Sequence, residues 1–365
     1  MSNGAAGTTV SVLIMAGGTG GHVFPALAVA RELARDGVRV EWLGTPSSFE
    51  SRLVPGAGFA FHEVPVSGLR GKGMAGWLKA PFALTRALLL ALRALKRLSP
   101  DLVLGMGGYA TGPGGVAARL LGKPLVIHEQ NAVAGTTNRL LARLARRVFE
   151  AFPGSFPGGI GAETIGNPVR DSIVAAGAAR RRTTGMPPRL LVLGGSQGAL
   201  ALNTAVPQAL ALLTEAGRPQ VRHQAGRSLE TAERSYREAG VTAECVAFID
   251  DMAAAYAWAD IVVARAGALT LSELAAAGVG AILVPYPHAV DDHQARNAGH
   301  FAAAGAAIVI PQGELGPERL ARELGTLLGE PGLLTAMGER CRSLMHADAA
   351  RKLADACIEL AGGRA

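Results

Sequence analysis

Along the chain, short runs of apolar, β-forming residues alternate with longer stretches whose apolar positions recur at helical spacing. Val10–Ala16 is a continuous apolar run that stops at a glycine cluster, the pattern of a buried strand, and Pro25–Asp36 follows with a helical period. The pattern predicts strands at Val38–Leu43, Leu102–Leu104 and Leu125–His128, with a helix over Phe82–Leu98. The rhythm then restarts. Strands are expected at Arg189–Leu193, Val221–Gln224, Ile261–Ala264 and Ala281–Pro285, with helices over Ala199–Ala216 and Leu269–Ala277. Alternation of this kind implies parallel sheets with crossover helices.

The restart is an internal repeat of grammar. Val12 to Ala16 runs into Gly17-Gly18-Thr19-Gly20-Gly21, and Leu190 to Leu193 runs into Gly194-Gly195-Ser196-Gln197-Gly198. Each is a strand, then a glycine turn, then a helix, so the expectation is two doubly wound α/β domains. The first covers 8–170 and the second 189–345. The segment 171–188 reads as a linker, because Ala178 to Pro188 is rich in small, basic and proline residues. Two such domains in tandem are expected to face each other across a ligand-binding cleft.

Composition narrows the class. The 365 residues are 49% hydrophobic and 18% charged, the balance of a globular chain rather than a disordered one. Cys245, Cys341 and Cys357 have no metal-like spacing and suggest a reducing compartment. Met1 to Thr9 has no basic residue before the apolar run, so no secretory signal is expected. Ala87–Leu92, between Arg86 and Arg93, is too short to span a bilayer. The expected location is therefore cytoplasmic. The charge is uneven: residues 1–170 carry 18 Lys+Arg against 9 Asp+Glu, whereas residues 171–365 carry 18 against 20. A basic first half implies an anionic partner for that half alone. Nucleic acid is not expected, since aromatic-basic interleaving, zinc-finger spacing and RNA-binding sheet motifs are all missing. An anionic membrane leaflet or a phosphorylated lipid fits.

Candidate chemistry lies at the ends of the predicted strands. The first glycine loop ends at His22, at a helix start where backbone N–H groups attract anions. It is not the dinucleotide pattern G-x-G-x-x-G, and Glu41 sits within a strand rather than at its end. A second glycine loop, Gly105 to Gly115, follows the strand ending at Leu104, and His128-Glu129-Gln130-Asn131 follows the next one. In the third loop Ser196 is placed to donate to a phosphate and Gln197 to bond a sugar hydroxyl. In the fourth segment, Ala264 to Thr270 turns from strand to helix, and Glu273 lies one turn inside. A diphosphate on that helix start would put its ribose near Glu273; otherwise Glu273 is a surface residue favouring the helix dipole. His288, Asp291, Asp292 and His293 lack the spacing of a metal set, and the chain has no Asp-x-Asp triplet, so no metal is expected.

Taken in order, Gly17 to Ala30, Gly105 to Gly115, Ile127 to Asn138, Gly166 to Arg170, Gly194 to Asn203 and Phe248 to Gly278 closely resemble the bacterial MurG family. These are UDP-N-acetylglucosamine–N-acetylmuramyl-(pentapeptide) pyrophosphoryl-undecaprenol N-acetylglucosamine transferases, the lipid II synthases. The match runs from about Val12 to beyond Ala307; Gly280 departs from it, standing where proline is common. The resemblance implies the GT-B architecture, with two Rossmann-like domains and the segment 346–365 packing back on the first. It implies that the C-terminal domain binds UDP-N-acetylglucosamine. Ile249 would meet uracil; Ala268, Leu269 and Thr270 would lie at the diphosphate, with Leu271 and Ser272 also among the donor-binding residues; Glu273 would take the ribose. Thr19, Gly20, Gly21, Asn131, Arg170, Ser196 and Gln294 would complete the donor site. His22 would be the catalytic group, a base for the acceptor hydroxyl, since an ordinary histidine titrates near neutrality. The implied acceptor is undecaprenyl-pyrophosphoryl-muramyl-pentapeptide (lipid I), and no cofactor is implied. The implied seat is peripheral, on the cytoplasmic face of the bacterial cell membrane.

Two other readings stay open at this point. One is another enzyme on the same architecture, such as a UDP-N-acetylglucosamine 2-epimerase or a different lipid glycosyltransferase. The other is a non-catalytic nucleotide-sugar sensor. Residues 70–98 likewise carry two readings. Arg70, Lys72, Trp77, Lys79 and Phe82, followed by Leu/Ala positions with Arg86, Arg93 and Arg97 on one side, describe either a core helix or a basic, apolar-edged surface for anionic lipid.

Overall fold

The computed structural model describes residues 10–66, 73–180, 187–195 and 198–362, and the side chains among them except those of 73–80 and 331. The chain divides into two compact units, Met1–Pro168 with Asp348–Ala365, and Val169–Ala347.

In the first unit the strands are β1 (Ser11–Met15), β2 (Arg39–Gly44), β3 (Ala60–Glu63), β4 (Leu102–Gly105), β5 (Leu125–Glu129), β6 (Arg147–Glu150) and β7 (Glu163–Thr164). They form one sheet in the order β3-β2-β1-β4-β5-β6-β7, and every pairing is parallel. The second unit holds β8 (Arg189–Leu193), β9 (Gln220–Gln224), β10 (Glu244–Val246), β11 (Ile261–Ala264), β12 (Ala281–Leu283) and β13 (Ala307–Val309). Their order is β10-β9-β8-β11-β12-β13, again all parallel. In each sheet the strand entering the first glycine loop is central and the order reverses beside it, which is the doubly wound arrangement. The apolar runs read as strands are buried on both faces: Val12 to Met15, Leu102 to Leu104 and Ile261 to Ala264 have no exposed surface.

Three boundaries differ from the pattern. The first helix spans Gly20–Arg35, so Gly20, Gly21 and His22 are its opening turn rather than a loop before it. Residues 171–188 were expected as linker, but Asp171–Ala179 is a helix of the second unit, packed on the helix Ala268–Ala277. Its packing face carries Ile173 and Gly177: Gly177 lies so close to the Ala276–Ala277 backbone that a Cβ would clash. Residues 181–186 lie outside the described residues. Third, the helix expected from Phe82 begins at Gly73. The last helix, Ala349–Gly362, packs on Gly20–Arg35 and adds Leu353, Ala354 and Cys357 to the core of the first unit.

The helix Gly73–Leu98 has a core face and an open face. Ala87, Ala91 and Leu95, four residues apart, are buried. Phe82 is 85% exposed, and Leu84, Leu89, Arg86, Arg93 and Arg97 are also exposed. The core reading thus accounts for one stripe of the helix and leaves the other facing outward. Arg70 and Lys72, and the side chains of Trp77 and Lys79, lie outside the described residues.

Candidate functional site

In the first unit two glycine loops cross at the ends of β1 and β4. Gly17 N–H donates to the Gly107 carbonyl at 3.2 Å. Gly108 has φ +96°, and a Cβ there would stand 2.6 Å from the Gly17 carbonyl oxygen, so only glycine lets the loops approach this closely. Buried Glu50 ties the crossing from the other side, accepting from Gly18 N–H at 3.1 Å and Thr45 N–H at 3.2 Å. The helix then opens at Thr19, whose side chain does not cap it, and no acidic residue lies in the first turn. Its leading N–H groups, including those of Gly20 and Gly21, form a positive helix end.

His22 sits in that first turn. Gly107 lies against its ring, with room for no side chain: a Cβ would be 2.8 Å from Nδ1. The Nδ1 atom is 2.8 Å from Gln130 Oε1. Gln130 Nε2 is 3.1 Å from His128 Nδ1, and His128 Nε2 is 2.9 Å from the Gly166 carbonyl oxygen. His128 is fully buried, and desolvation lowers its pKa to about 4. Glu129, also buried, fixes the loop beyond β5. It accepts from the Asn131 backbone N–H at 3.0 Å, Asn131 Nδ2 at 3.1 Å, Gly135 N–H at 3.1 Å and Asn138 Nδ2 at 2.9 Å. His22, Gln130 and Asn131 are thereby held by one connected set of loops.

In the second unit Arg170 and Glu273, which are 103 residues apart, meet. Arg170 Nη2 donates to Glu273 Oε1 at 2.7 Å, and the Tyr256 hydroxyl donates to Oε2 at 3.1 Å. Glu273 is only 4% exposed, so it is not a surface residue of the helix dipole. Burial pushes its pKa up against the opposing pull of Arg170 and Tyr256. The helix Ala268–Ala277 starts at Gly267 without a side-chain cap and without an acidic residue in its first turn. Leu269, Thr270 and Ser272 are half-exposed at this end, while Ala268 and Leu271 are buried. Asn297, fully buried, donates to the Ala266 carbonyl at 3.1 Å and braces the turn. Gln294 accepts from Tyr286 N–H at 2.9 Å, and half-buried Ile249 lies between β10 and the helix Met252–Trp258. Ser196 and Gln197 lie outside the described residues. Of the described residues on either side, Gly194 N–H donates to the Gln224 carbonyl at 2.9 Å, and Gly226, at φ +64°, sits against Gly198.

Tyr256 had no signal in the sequence. His128 and Gln130 belong to the polar run noted there as candidate chemistry, of which the resemblance placed only Asn131 at the donor. A like arrangement stands in the second unit, where buried His223 contacts Tyr236 Oη and Asn203 Oδ1, each at 3.0 Å. Burial lowers its pKa to about 4 as well. Both histidines are therefore neutral in the folded chain and bind protons more readily when unfolded. Stability from each is complete above the unfolded value near 6.5 and declines as pH falls toward 4. Between pH 7.5 and 5.0 each is expected to withdraw about 2 kcal/mol. Urea unfolding at the two pH values, repeated on His128→Phe and His223→Phe, checks this; equal pH dependence in all three proteins would contradict it.

Residues 12–150 match the model of the glycosyltransferase family 28 N-terminal domain, and residues 189–353 that of its C-terminal domain. Together they define the class: a two-domain family 28 glycosyltransferase on paired Rossmann-like folds, the GT-B type. Proteins of Chromohalobacter salexigens and Nitrosococcus oceani are 58% and 56% identical to the chain, over 95% and 97% of it and 96% and 99% of their own lengths. Both carry the name UDP-N-acetylglucosamine–N-acetylmuramyl-(pentapeptide) pyrophosphoryl-undecaprenol N-acetylglucosamine transferase. A crystal structure of Acinetobacter baumannii MurG is 42% identical, with a TM-score of 0.82 over 96% of this chain and 99% of that one. The chain belongs to the MurG family of N-acetylglucosaminyltransferases.

Proposed function

We propose that the chain transfers N-acetylglucosamine from UDP-N-acetylglucosamine to the 4-hydroxyl of the muramyl sugar of lipid I, forming lipid II. The observation that carries this reading is His22: a histidine set in the first turn of an uncapped helix and held at one nitrogen by Gln130. His22 takes the proton of the attacking hydroxyl, and the α-linked donor gives a β-linked product by direct displacement. In the second unit the uncapped start of Ala268–Ala277 receives the diphosphate and stabilises the leaving UDP, with Ser196 and Gln294 assisting. Arg170 and Glu273 stand at the ribose, and Ile249 at uracil.

The test is release of UDP from UDP-N-acetylglucosamine with and without a lipid I analogue, in excess chelator. Release that depends on acceptor and survives chelation is expected, since the chain lacks the Asp-x-Asp triplet by which many transferases hold a metal. Release without acceptor would point to an epimerase, and loss of activity reversed by magnesium would overturn the metal-free diphosphate site.

The acceptor is anchored in a bilayer, and among the described residues no helix is long and apolar enough to cross one. The outward stripe of Gly73–Leu98, with Phe82 and Leu89 beside Arg86 and Arg93, suits peripheral docking on anionic lipid at the cytoplasmic face. Vesicle co-sedimentation is expected to need anionic lipid, to weaken with salt, and to fall in the combined variant Phe82→Ser, Arg86→Ser, Leu89→Ser. Equal binding to neutral vesicles, or no effect of the variant, would remove this surface from the account.

A further inference from the structure

The three side chains behind His22 form a chain of hydrogen bonds whose direction is dictated at its far end. The Gly166 carbonyl only accepts, so His128 Nε2, 2.9 Å away, must carry a hydrogen. His128 is buried and neutral, since its pKa lies near 4, so it has one hydrogen in all and its Nδ1 is a bare acceptor. The group 3.1 Å from that Nδ1 must then donate, which makes it the amide nitrogen of Gln130. A second contact gives the same answer: this nitrogen is also 3.2 Å from the His128 carbonyl oxygen, another pure acceptor. The Gln130 amide cannot flip without breaking both. Its main chain is pinned too, by Asn167 Nδ2 donating to the Gln130 carbonyl at 3.0 Å.

With the amide nitrogen committed to His128, Gln130 presents its oxygen to His22. That oxygen only accepts, so His22 Nδ1, 2.8 Å away, must hold the hydrogen. A neutral imidazole has a single N–H, and the other nitrogen, Nε2, is then the lone-pair site. We propose that Gln130 is a positioning residue that locks His22 in the Nδ1–H tautomer, leaving Nε2 as the atom that receives the acceptor's proton, with His128 and the Gly166 carbonyl fixing the sense of the lock. Gly107 supports it sterically, because a side chain there would run into the ring, its Cβ 2.8 Å from Nδ1. On proton transfer Nε2 gains the hydroxyl hydrogen, and the imidazolium retains its Nδ1–H bond to Gln130, so no atom of the relay has to move. Gln130 touches no reacting atom; it acts through His22. The proposal rests on the reading of His22 as the base.

The experiment reads the tautomer directly. The chain has 8 histidines, and labelling their ring nitrogens with 15N separates protonated from bare nitrogens by chemical shift. Spectra are taken at about pH 8.5, roughly two units above an ordinary histidine pKa, and His22 is assigned by its loss in His22→Asn. The expected wild-type result is a bare Nε2 and a protonated Nδ1. In Gln130→Leu the lock is gone, so the His22 signals should move toward the other tautomer. The variant's kcat should fall roughly tenfold or more while the KM for UDP-N-acetylglucosamine holds within about twofold. A wild-type His22 with its hydrogen on Nε2 overturns the proposal even if Gln130→Leu fails to fold. An unchanged His22 tautomer in folded Gln130→Leu overturns it as well. Failure of the underlying reading looks different: the wild-type tautomer would be as stated, yet His22→Ala would keep its kcat.

Discussion

Replacing His22 by alanine is expected to lower kcat at least about a hundredfold while leaving the KM for UDP-N-acetylglucosamine within a few-fold of its starting value. A positioned acid or base contributes on the order of 10²–10⁴ in rate. The split between kcat and KM follows from the place of His22, in the first unit, whereas the proposed nucleotide contacts are carried mostly by the second. An interaction made only in the transition state lowers kcat without weakening ground-state binding. The fold should tolerate the change, since His22 is half-buried and its ring bonds the Gln130 side chain rather than the backbone of the core. Steady-state kinetics on protein with an unchanged unfolding midpoint make the comparison. A near-normal kcat would reduce His22 to a residue of the helix start.

Glu273→Ala is expected to act twice. Its carboxylate is nearly out of solvent and bonded at one oxygen to Arg170 and at the other to Tyr256. Removing one member of a buried ion pair typically costs about 3–5 kcal/mol, because the opposite charge keeps its desolvation penalty. The second unit should therefore unfold at distinctly lower urea than the first. If the ribose hydroxyls also bond this carboxylate, UDP affinity should fall by about 1.5–3 kcal/mol, at least tenfold. Glu273→Gln separates the effects, for it keeps the volume and one acceptor but drops the charge. Calorimetry with UDP and urea unfolding read the two consequences independently. Unchanged UDP affinity in folded Glu273→Ala would leave Glu273 as a structural brace and end its ribose assignment. Unchanged stability would contradict the buried pair.

Local pattern in the sequence was enough to place the sheet centres and both glycine turns. Arg189–Leu193 and Ile261–Ala264 fall on the residues expected. Buried parallel strands are nearly continuous apolar runs, and the first of these ends directly at Gly194. The edge strands were invisible by the same rule: Ala60–Glu63 and Glu244–Val246 are short and partly exposed, with no apolar run to mark them. The linker reading reached too far back because the small, basic and proline-rich composition begins at Ala178, whereas Asp171–Ala179 is a helix whose Gly177 lets it touch a second helix backbone to backbone. The same limit applies to the site. His22 and Glu273 were found because each stands at a fixed offset from a strand end. Which side chain each would meet was not, because the spacing of Arg170 from Glu273, or of Gln130 from His22, is set by sheet order and not by local period; Arg170 was expected in the donor site through the family resemblance and Gln130 as part of the polar run after Ile127, neither as a partner. Whether Glu273 was exposed or buried could not be read from its place in one helix.

The central claim is tested most directly by the product. Purified chain, labelled UDP-N-acetylglucosamine and a lipid I analogue are incubated, and the lipid fraction is examined by mass spectrometry and by digestion with a β-specific hexosaminidase. The account predicts one added N-acetylhexosamine on the muramyl sugar, removable by that enzyme and so β-linked. A lipid fraction without label, beside UDP released or a sugar epimerised in the absence of acceptor, would contradict it.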